Sequence, residues 1–237
     1  MADALVISDL GRLAYEPSYE HQTRAHARVL AAREAGSGAL GEVLLVEHDP
    51  VVTISNRATA EANLLASPEL LARSGVAVAR TDRGGDITYH GPGQLVAYPI
   101  LDLNALNLGL HDYMRLLEDS VIAVCAHFGV ETMRDPSATG VWTVRDSAPH
   151  AKIAAMGVRV RKWISMHGLA LNVTTNLDHF RLIVPCGLVG RSVTSLERQL
   201  GSNCPTMAEV KRMLGQTLTA SITRERTRAI ALRAAQV

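Results

Sequence analysis

The tripeptide Pro185-Cys186-Gly187 is the first candidate for covalent chemistry in the sequence. Proline restricts the backbone before the thiol, and glycine leaves space after it. A cysteine in this setting can act as a nucleophile when a nearby cation lowers its pKa, and otherwise packs as a small apolar residue. The apolar role fits Cys125, which is predicted to lie in the middle of a helix, and Cys204 is predicted to be an ordinary loop thiol.

A lysine and two histidines are candidates for the group that activates this thiol. Lys152 lies in an apolar run that is predicted to form a strand, where alternation places it on one face with Ala154, Met156, Val158 and Val160. A buried lysine is costly unless its charge is used, although a lysine at a strand end can also extend its ammonium into water. His90 and His167 are alternatives, because cysteine–histidine pairs are the commoner arrangement. Spacing alone does not choose among the three.

The segment Arg83–Gln94, RGGDITYHGPGQ, holds four glycines and a proline. Glycine lets a backbone approach a ligand closely, and Arg83, Tyr89 and His90 add polar groups. The segment is not a common phosphate-binding loop, since it has neither G-x-x-x-x-G-K-[ST] nor the third glycine of G-x-G-x-x-G. Composition alone is equally compatible with a ligand-binding loop and with a long surface turn.

These residues depend on elements whose order the sequence indicates. Helices are predicted from about Pro17 to Glu34, from Pro68 to Gly75, over His111–Phe128 and from near Met207. Strands are predicted over Leu5–Ser8, Glu42–Glu47, Val51–Ser55, Val76–Arg80, Leu95–Leu101, Val141–Val144, Ala151–Val160 and Ser165–Val173. The alternation is too irregular for a doubly wound sheet. The sequence predicts an α/β (α+β) fold, a mixed sheet flanked by helices, in a single domain over 1–237 with a C-terminal helical segment from about 196.

The composition of the chain argues against several classes of protein. The 237 residues are 47% hydrophobic and 20% charged, as in soluble globular proteins. A net charge of +1 argues against a dedicated nucleic-acid binder, and no apolar stretch is long enough for a membrane helix. Three widely spaced cysteines form neither a disulfide framework nor a structural zinc motif. With Asp3 and Asp9 preceding the first basic residue, Arg12, no secretory signal is indicated, and a cytoplasmic protein is predicted.

Together these segments resemble the octanoyltransferase family of lipoate synthesis, the lipoyl(octanoyl) transferases. The run Arg83–Gln94 resembles the family pattern R-G-G-x-x-T-Y-H-G-P-G-Q. The segments K-I-A-A from Lys152, H-G-L-A-L-N from His167 and P-C-G around Cys186 follow in the family's order. The resemblance covers residues 40–200.

The resemblance implies the fold of biotin and lipoate protein ligases, with Cys186 as the acyl-carrying nucleophile and Lys152 as its catalytic partner. It implies acyl contacts from Arg83, Gly84, Gly85, Asp86, Ile87, Thr88, Tyr89, His90, Ala155, Met156, Gly157, Gly168, Leu169 and Ala170, with His167 in support. Two places depart from the family. Asp86 stands where another polar or basic residue is usual, and Ser55-Asn56-Arg57 replaces the usual Gly-Arg.

The implied reaction moves an octanoyl group from octanoyl-acyl carrier protein to a lysine of apo lipoyl domains, those of 2-oxoacid dehydrogenases and of the glycine cleavage H protein. It needs no cofactor, no metal, no nucleic acid and no membrane. Three alternatives stay open. An ATP-dependent lipoate or biotin ligase of the same fold would not need Cys186. A non-catalytic binding protein would form no acyl adduct, and a cysteine hydrolase using His167 would release free acid.

Overall fold

A computed structural model describes residues 5–184 and 191–235, and Cys186 lies outside the described residues. The strands are β1 (Val6–Leu13), β2 (Gly41–His48), β3 (Val51–Ser55), β4 (Ala77–Thr81), β5 (Ile87–His90), β6 (Gln94–Leu101), β7 (Thr132–Asp135), β8 (Ala138–Arg145), β9 (Ala148–Arg161), β10 (Ile164–Asn172) and β11 (Ser192–Val193). The helices are α1 (Tyr15–Glu34), α2 (Pro68–Arg73), α3 (Leu110–His127), α4 (Leu196–Leu200) and α5 (Met207–Ala234).

The described strands form two sheets. The larger has the order β1-β2-β6-β10-β9-β8-β7, and β11 adds to β9. The β1–β2 and β9–β11 pairs are parallel, and the other neighbours are antiparallel. The smaller sheet has the order β4-β3-β5. This mixed sheet with flanking helices confirms the predicted fold class.

Helices cover both faces of the larger sheet. On one face, Ala25 and Val29 of α1 pack in a buried cluster with Tyr98 of β6. On the other face, α3 and α5 pack against the sheet, and Leu117 and Leu214 are fully buried there. A reciprocal capping box between Thr206 and Glu209 begins α5. The helix–sheet–helix arrangement leaves the α1 face of β9 and β10 open toward the smaller sheet, where the glycine-rich segment lies.

The glycine-rich segment is not the continuous loop that the sequence predicted. Ile87–His90 forms β5, all four residues of which are buried, and pairs antiparallel with β3. Gln94 is already the first residue of β6. The run Ile-Thr-Tyr-His has strong strand propensity, and the flanking glycines, which dominate the composition of the segment, concealed it. Strand β7, which pairs with β8, was also not predicted, since Thr132–Asp135 lacks an apolar alternation.

A register shift in β9 corrects the predicted face of Lys152. Val141 of β8 pairs with Ala154, but the next residue, Trp142, pairs with Lys152, so β9 contains one extra residue here. An extra residue reverses the alternation beyond it. Lys152 therefore lies on the cavity side with Ala155, whereas Ala154 packs into the core.

Candidate active site

A cavity of about 350 Å³ lies between the smaller sheet and strands β6, β9 and β10. Its volume is within the range of small-molecule binding sites. It is lined by Tyr15, Arg57, Arg83, Gly85, Asp86, Thr88, His90, Val96, Tyr98, Ser137, Ala138, Thr139, Lys152, Ala155, Met156, Gly157, His167, Gly168, Leu169 and Ala170. The wall combines apolar side chains with several ionisable ones.

Lys152 presents a buried cation to this cavity. The residue is only 7% exposed, and its Nζ donates a hydrogen bond to the Thr139 carbonyl at 2.9 Å. The same Nζ lies 4.8 Å from the centroid of the Trp142 ring, within cation–π distance. The ring itself is completely buried. The ammonium is thus held by a carbonyl and an aromatic face, in a setting with limited access to water.

His167 lies just before the part of β10 that pairs with β6, which begins at Leu169 opposite Ala97. Pro99 of β6 has no N–H for the ladder, and His167 adopts a left-handed backbone with φ of 57°. Its own N–H donates instead to Oε1 of Gln22 on α1, at 2.9 Å. The Pro99 carbonyl accepts from the hydroxyls of Ser165 and Tyr113. This local break in the sheet places the His167 ring on the cavity wall.

Asp82 is the anionic partner of His167. The imidazole Nε2 lies 2.8 Å from one Asp82 carboxylate oxygen, and the other oxygen accepts from the Tyr19 hydroxyl and from Arg159. The hydrogen bond from His167 lowers the pKa of Asp82 to about 2, so the carboxylate is ionised at neutral pH. Burial lowers the pKa of His167, which Asp82 opposes. An ionised carboxylate therefore lies next to the His167 imidazole.

A second histidine lies in a chain of buried hydrogen bonds. His90 Nδ1 lies 2.6 Å from Oε1 of Gln94, whose amide donates to Oδ1 of Asn172 at 2.9 Å. Asn172 in turn donates to the Thr194 carbonyl, and the Thr194 N–H donates to the carbonyl of Lys152. Burial lowers the pKa of His90 to about 3, so this imidazole is neutral at neutral pH. The chain connects the glycine-rich segment to the strand that carries Lys152.

Most of the predicted contact residues surround this one cavity, together with Lys152 and His167. Three do not line it: Gly84, Ile87 and Tyr89. Ile87 and Tyr89 pack in the core of the smaller sheet, and the Tyr89 hydroxyl is 2.7 Å from Nδ1 of His179. Gly84 donates its N–H to the Val158 carbonyl, and a Cβ at Gly84 would lie 2.9 Å from that oxygen. Gly84 thus lets the segment approach β9.

Several cavity residues were not predicted as site residues: Tyr15, Arg57, Val96, Tyr98, Ser137, Ala138 and Thr139. One signal could have found Arg57. It lies 3.7 Å from the buried Asp86 carboxylate, which also accepts from Asn63 at 2.8 Å. The two departures from the family pattern therefore form one ion pair, and a search for compensating charges would have linked them. The isolated aromatic residues carried no comparable signal.

The described residues on both sides of 185–190 contact the surroundings of the cavity. Val184 donates its N–H to the carbonyl of Asn63 at 2.8 Å. Arg191 forms an ion pair with Asp135, and its guanidinium lies 4.1 Å from the centroid of the Trp142 ring that also contacts Lys152. Two residues later, β11 pairs with β9 at Lys152 itself. In the described ranges, no helix is long and apolar enough to cross a membrane.

The chain matches a known enzyme family over most of its length. Residues 18–219 match the model of the lipoyl protein ligase A/B catalytic domain. The chain belongs to this family. An octanoyltransferase of Bacteroides fragilis is 43% identical over 92% of this chain and 97% of its own length. One from Geotalea uraniireducens is 46% identical, over 88% of this chain and 89% of its own. The protein is therefore an enzyme of the acyltransferase class, as predicted.

Solved structures confirm the fold at low sequence identity. A bipartite lipoate protein ligase of Thermoplasma acidophilum superposes with a TM-score of 0.68 at 17% identity, covering 97% of this chain and 91% of that one. Lipoate-protein ligase A bound with ATP gives 0.66 at 15% identity, covering 98% and 94%. The chain therefore has the predicted biotin and lipoate ligase-like fold. Its octanoyltransferase relatives indicate octanoyl transfer in lipoylation.

Proposed function

We propose that this enzyme takes an octanoyl group from octanoyl-acyl carrier protein onto Cys186 and passes it to a lysine of apo lipoyl domains, including those of 2-oxoacid dehydrogenases and the glycine cleavage H protein. The observation that carries the proposal is the Lys152 ammonium in the wall of an acyl-sized cavity. That lysine belongs to a strand that is hydrogen-bonded to the chain shortly after Cys186.

The first step forms a bond between the Cys186 sulfur and the carbonyl carbon of the donor thioester. The bond from that carbon to the carrier's sulfur then breaks, and the carrier thiol leaves. Lys152 stabilises the Cys186 thiolate by its charge or accepts the thiol proton, and returns a proton to the leaving sulfur. In the second step, the ε-amine of the acceptor lysine attacks the acyl-cysteine, forming an amide and restoring the thiol. Exchange of a thioester for an amide needs no ATP.

The remaining cysteines support this assignment. Burial raises the pKa of Cys125 to about 12, and burial also raises the pKa of Cys204. Thiols with raised pKa values are weak nucleophiles at neutral pH because little thiolate is present. Neither of the two described cysteines is therefore suited to carry the acyl group, which leaves Cys186 as the candidate.

The cavity wall also supports an acyl substrate. Val96, Met156 and Leu169 supply apolar surface, and Ala155 and Ala170 leave room beside them. Each buried methylene contributes about 0.8 kcal/mol to binding. An eight-carbon chain would therefore bind well, whereas one methylene more or less would change specificity only modestly.

The test is intact-protein mass after mixing with octanoyl-acyl carrier protein without ATP. Wild type is expected to gain one octanoyl group, which an apo lipoyl domain then removes, and Cys186→Ala is expected to gain none. Cys204→Ala is the matched control and should load like wild type, because Cys204 lies outside the cavity lining. Loading that requires ATP would instead indicate an adenylating ligase. Loading of Cys186→Ala would exclude the proposed nucleophile.

A further inference from the structure

Glu118 on α3 is a buried carboxylate outside the cavity lining. The residue is 2% exposed. Its Oε2 accepts from Arg115 at 2.5 Å and from Arg134 at 3.0 Å, while Oε1 accepts the backbone N–H of Gly140 at 3.1 Å. A buried charge with several charge-assisted hydrogen bonds is fixed in place, because breaking any of them would leave an uncompensated polar group.

The Gly140 N–H belongs to the same peptide unit as the carbonyl that holds Lys152. That carbonyl is Thr139 O, which accepts from Lys152 Nζ at 2.9 Å. A peptide unit is planar, so fixing the direction of its N–H fixes the opposite direction of its C=O. Glu118 and Lys152 therefore bind the two ends of one peptide, a carboxylate at the N–H and an ammonium at the oxygen.

The position of this peptide leaves little freedom for the lysine. Gly140 has a φ of +130°, and a Cβ there would lie 2.7 Å from the Ala154 carbonyl and 3.1 Å from Cε of Lys152. The Lys152 side chain thus runs directly alongside the Gly140 backbone. A rotation of the peptide would move the carbonyl partner of the ammonium and crowd the methylenes beneath it.

We propose that Glu118 is a positioning residue for Lys152, acting through the Thr139–Gly140 peptide without touching substrate. The anchored peptide directs its carbonyl at the ammonium and so sets where the positive charge stands in the cavity. This inference rests on the proposed function, because it presupposes that Lys152 acts on the Cys186 thiol. Arg115 and Arg134 hold the Glu118 carboxylate in turn.

The test compares Glu118→Gln and Glu118→Asp with Lys152→Ala and wild type. Gln keeps the shape and loses the charge, whereas Asp keeps the charge and withdraws it by one methylene from Gly140. One readout is the pH dependence of Cys186 alkylation by iodoacetamide, followed on the peptide that contains Cys186. The others are kcat and KM for octanoyl loading. Asp119→Asn is the matched control, since Asp119 is the next residue and shares Arg134 but forms no bond with Gly140.

Lys152→Ala is expected to raise the apparent pKa of the Cys186 thiol, because a neighbouring cation stabilises the thiolate. Both Glu118 variants should raise it part of the way and lower kcat by about 10- to 100-fold with little change in KM, as expected for misplacement of a catalytic group. Asp119→Asn should behave like wild type. A correlated change in thiol pKa and kcat would separate positioning from simple destabilisation.

Two results would overturn the inference, and each has a different consequence for the proposed function. If Lys152→Ala shifts the thiol pKa and loading but the folded Glu118 variants do not, Glu118 has no positioning role and the proposed function stands. If Lys152→Ala changes neither readout, the proposed function itself is wrong, and the role of Glu118 falls with it. Should Glu118→Gln fail to fold, Glu118→Asp decides, because it keeps a negative charge between the two arginines.

Discussion

Two sides of the cavity differ in the charge state that they favour: the lysine side, which holds Lys152, and the histidine side, which holds His90 and His167. On the lysine side, Lys152 is held by the Thr139 carbonyl and the Trp142 ring, which both favour a cation. On the histidine side, burial lowers the pKa values of His90 and His167 and favours neutral rings. The lysine side thus holds a cationic side chain, whereas the two imidazoles of the histidine side, next to the Arg83 guanidinium, are disfavoured as cations and supply hydrogen bonds.

This difference bears on the choice that the sequence left open among Lys152, His90 and His167. An imidazole with a pKa of about 3, as at His90, is a weak proton acceptor at neutral pH and offers no cation to a thiolate. His167 lies 2.8 Å from the Asp82 carboxylate, and a carboxylate also orients the imidazole in nucleophile–histidine–acid triads, so His167 stays the alternative partner. We therefore propose the lysine side as the partner of Cys186, with His167 as the alternative that the following variants test.

The largest expected effect tests the comparison directly. Lys152→Ala should lower the rate of octanoyl loading by about 10²- to 10⁴-fold, the usual contribution of a positioned acid–base group. His167→Asn should lower it by less than that range, because Asn tolerates the left-handed backbone and the lost contacts, the Asp82 hydrogen bond and part of the cavity wall, leave Lys152 in place. Single-turnover loading, followed by mass, measures both. An equal loss in the two variants would move the activating group to the histidine side and revive the cysteine–histidine alternative.

A smaller effect is expected from crowding the lysine side. Gly140→Ala would place a Cβ 2.7 Å from the Ala154 carbonyl at a φ of +130°. Strain of this kind costs about 1–3 kcal/mol of the free energy of unfolding, which urea denaturation measures. Because Lys152 Cε is the next contact at 3.1 Å, loading should also slow.

Gly129→Ala is the matched control for Gly140→Ala. Gly129 also has a positive φ, +81°, but nothing lies within 4 Å of a Cβ there. It should lose stability through backbone strain alone and load octanoyl at the wild-type rate. Normal loading by Gly140→Ala would show that Lys152 tolerates displacement and would weaken the argument for a rigid lysine side.

The sequence was sufficient to locate site residues where the residue type itself indicates the local backbone. The glycines before Asp86 predicted close backbone approach, and the structure shows this approach at β9, where a Cβ at Gly84 would lie 2.9 Å from the Val158 carbonyl. Sequence reasoning failed where position depends on pairing. The extra residue in β9 that turns Lys152 toward the cavity exists only relative to Trp142 in β8. Glu118 carried no signal either, because a helical glutamate gives no sign that it accepts a backbone N–H 22 residues away.

The smallest expected effect concerns how stability depends on pH. It comes from His48, a buried histidine outside the cavity lining whose ring lies 5.6 Å from the ring of His90. Burial lowers the pKa of His48 to about 4. Its Nδ1 lies 3.0 Å from the Leu13 carbonyl oxygen, and its Nε2 lies 2.7 Å from the Tyr98 hydroxyl. The ordinary pKa of a histidine side chain is 6.5, so between about pH 6.5 and 4 the unfolded chain binds a proton that the folded chain does not. The free energy of unfolding must therefore fall as pH falls through this window, by up to about 1.4 kcal/mol per pH unit for each such histidine.

His48→Gln should remove one of these contributions and flatten the slope between pH 6.5 and 4.5 by about 1 kcal/mol per pH unit on average, measured by urea denaturation at each pH. This range lies above the titration of Asp82, whose pKa of about 2 makes its stabilisation disappear only at lower pH. His111→Gln is the control, because that side chain is 76% exposed and its removal should leave the slope unchanged. An unchanged slope in His48→Gln would mean that the folded protein admits a charged ring at this position. Burial alone would then not be sufficient to keep the neighbouring ring of His90 neutral.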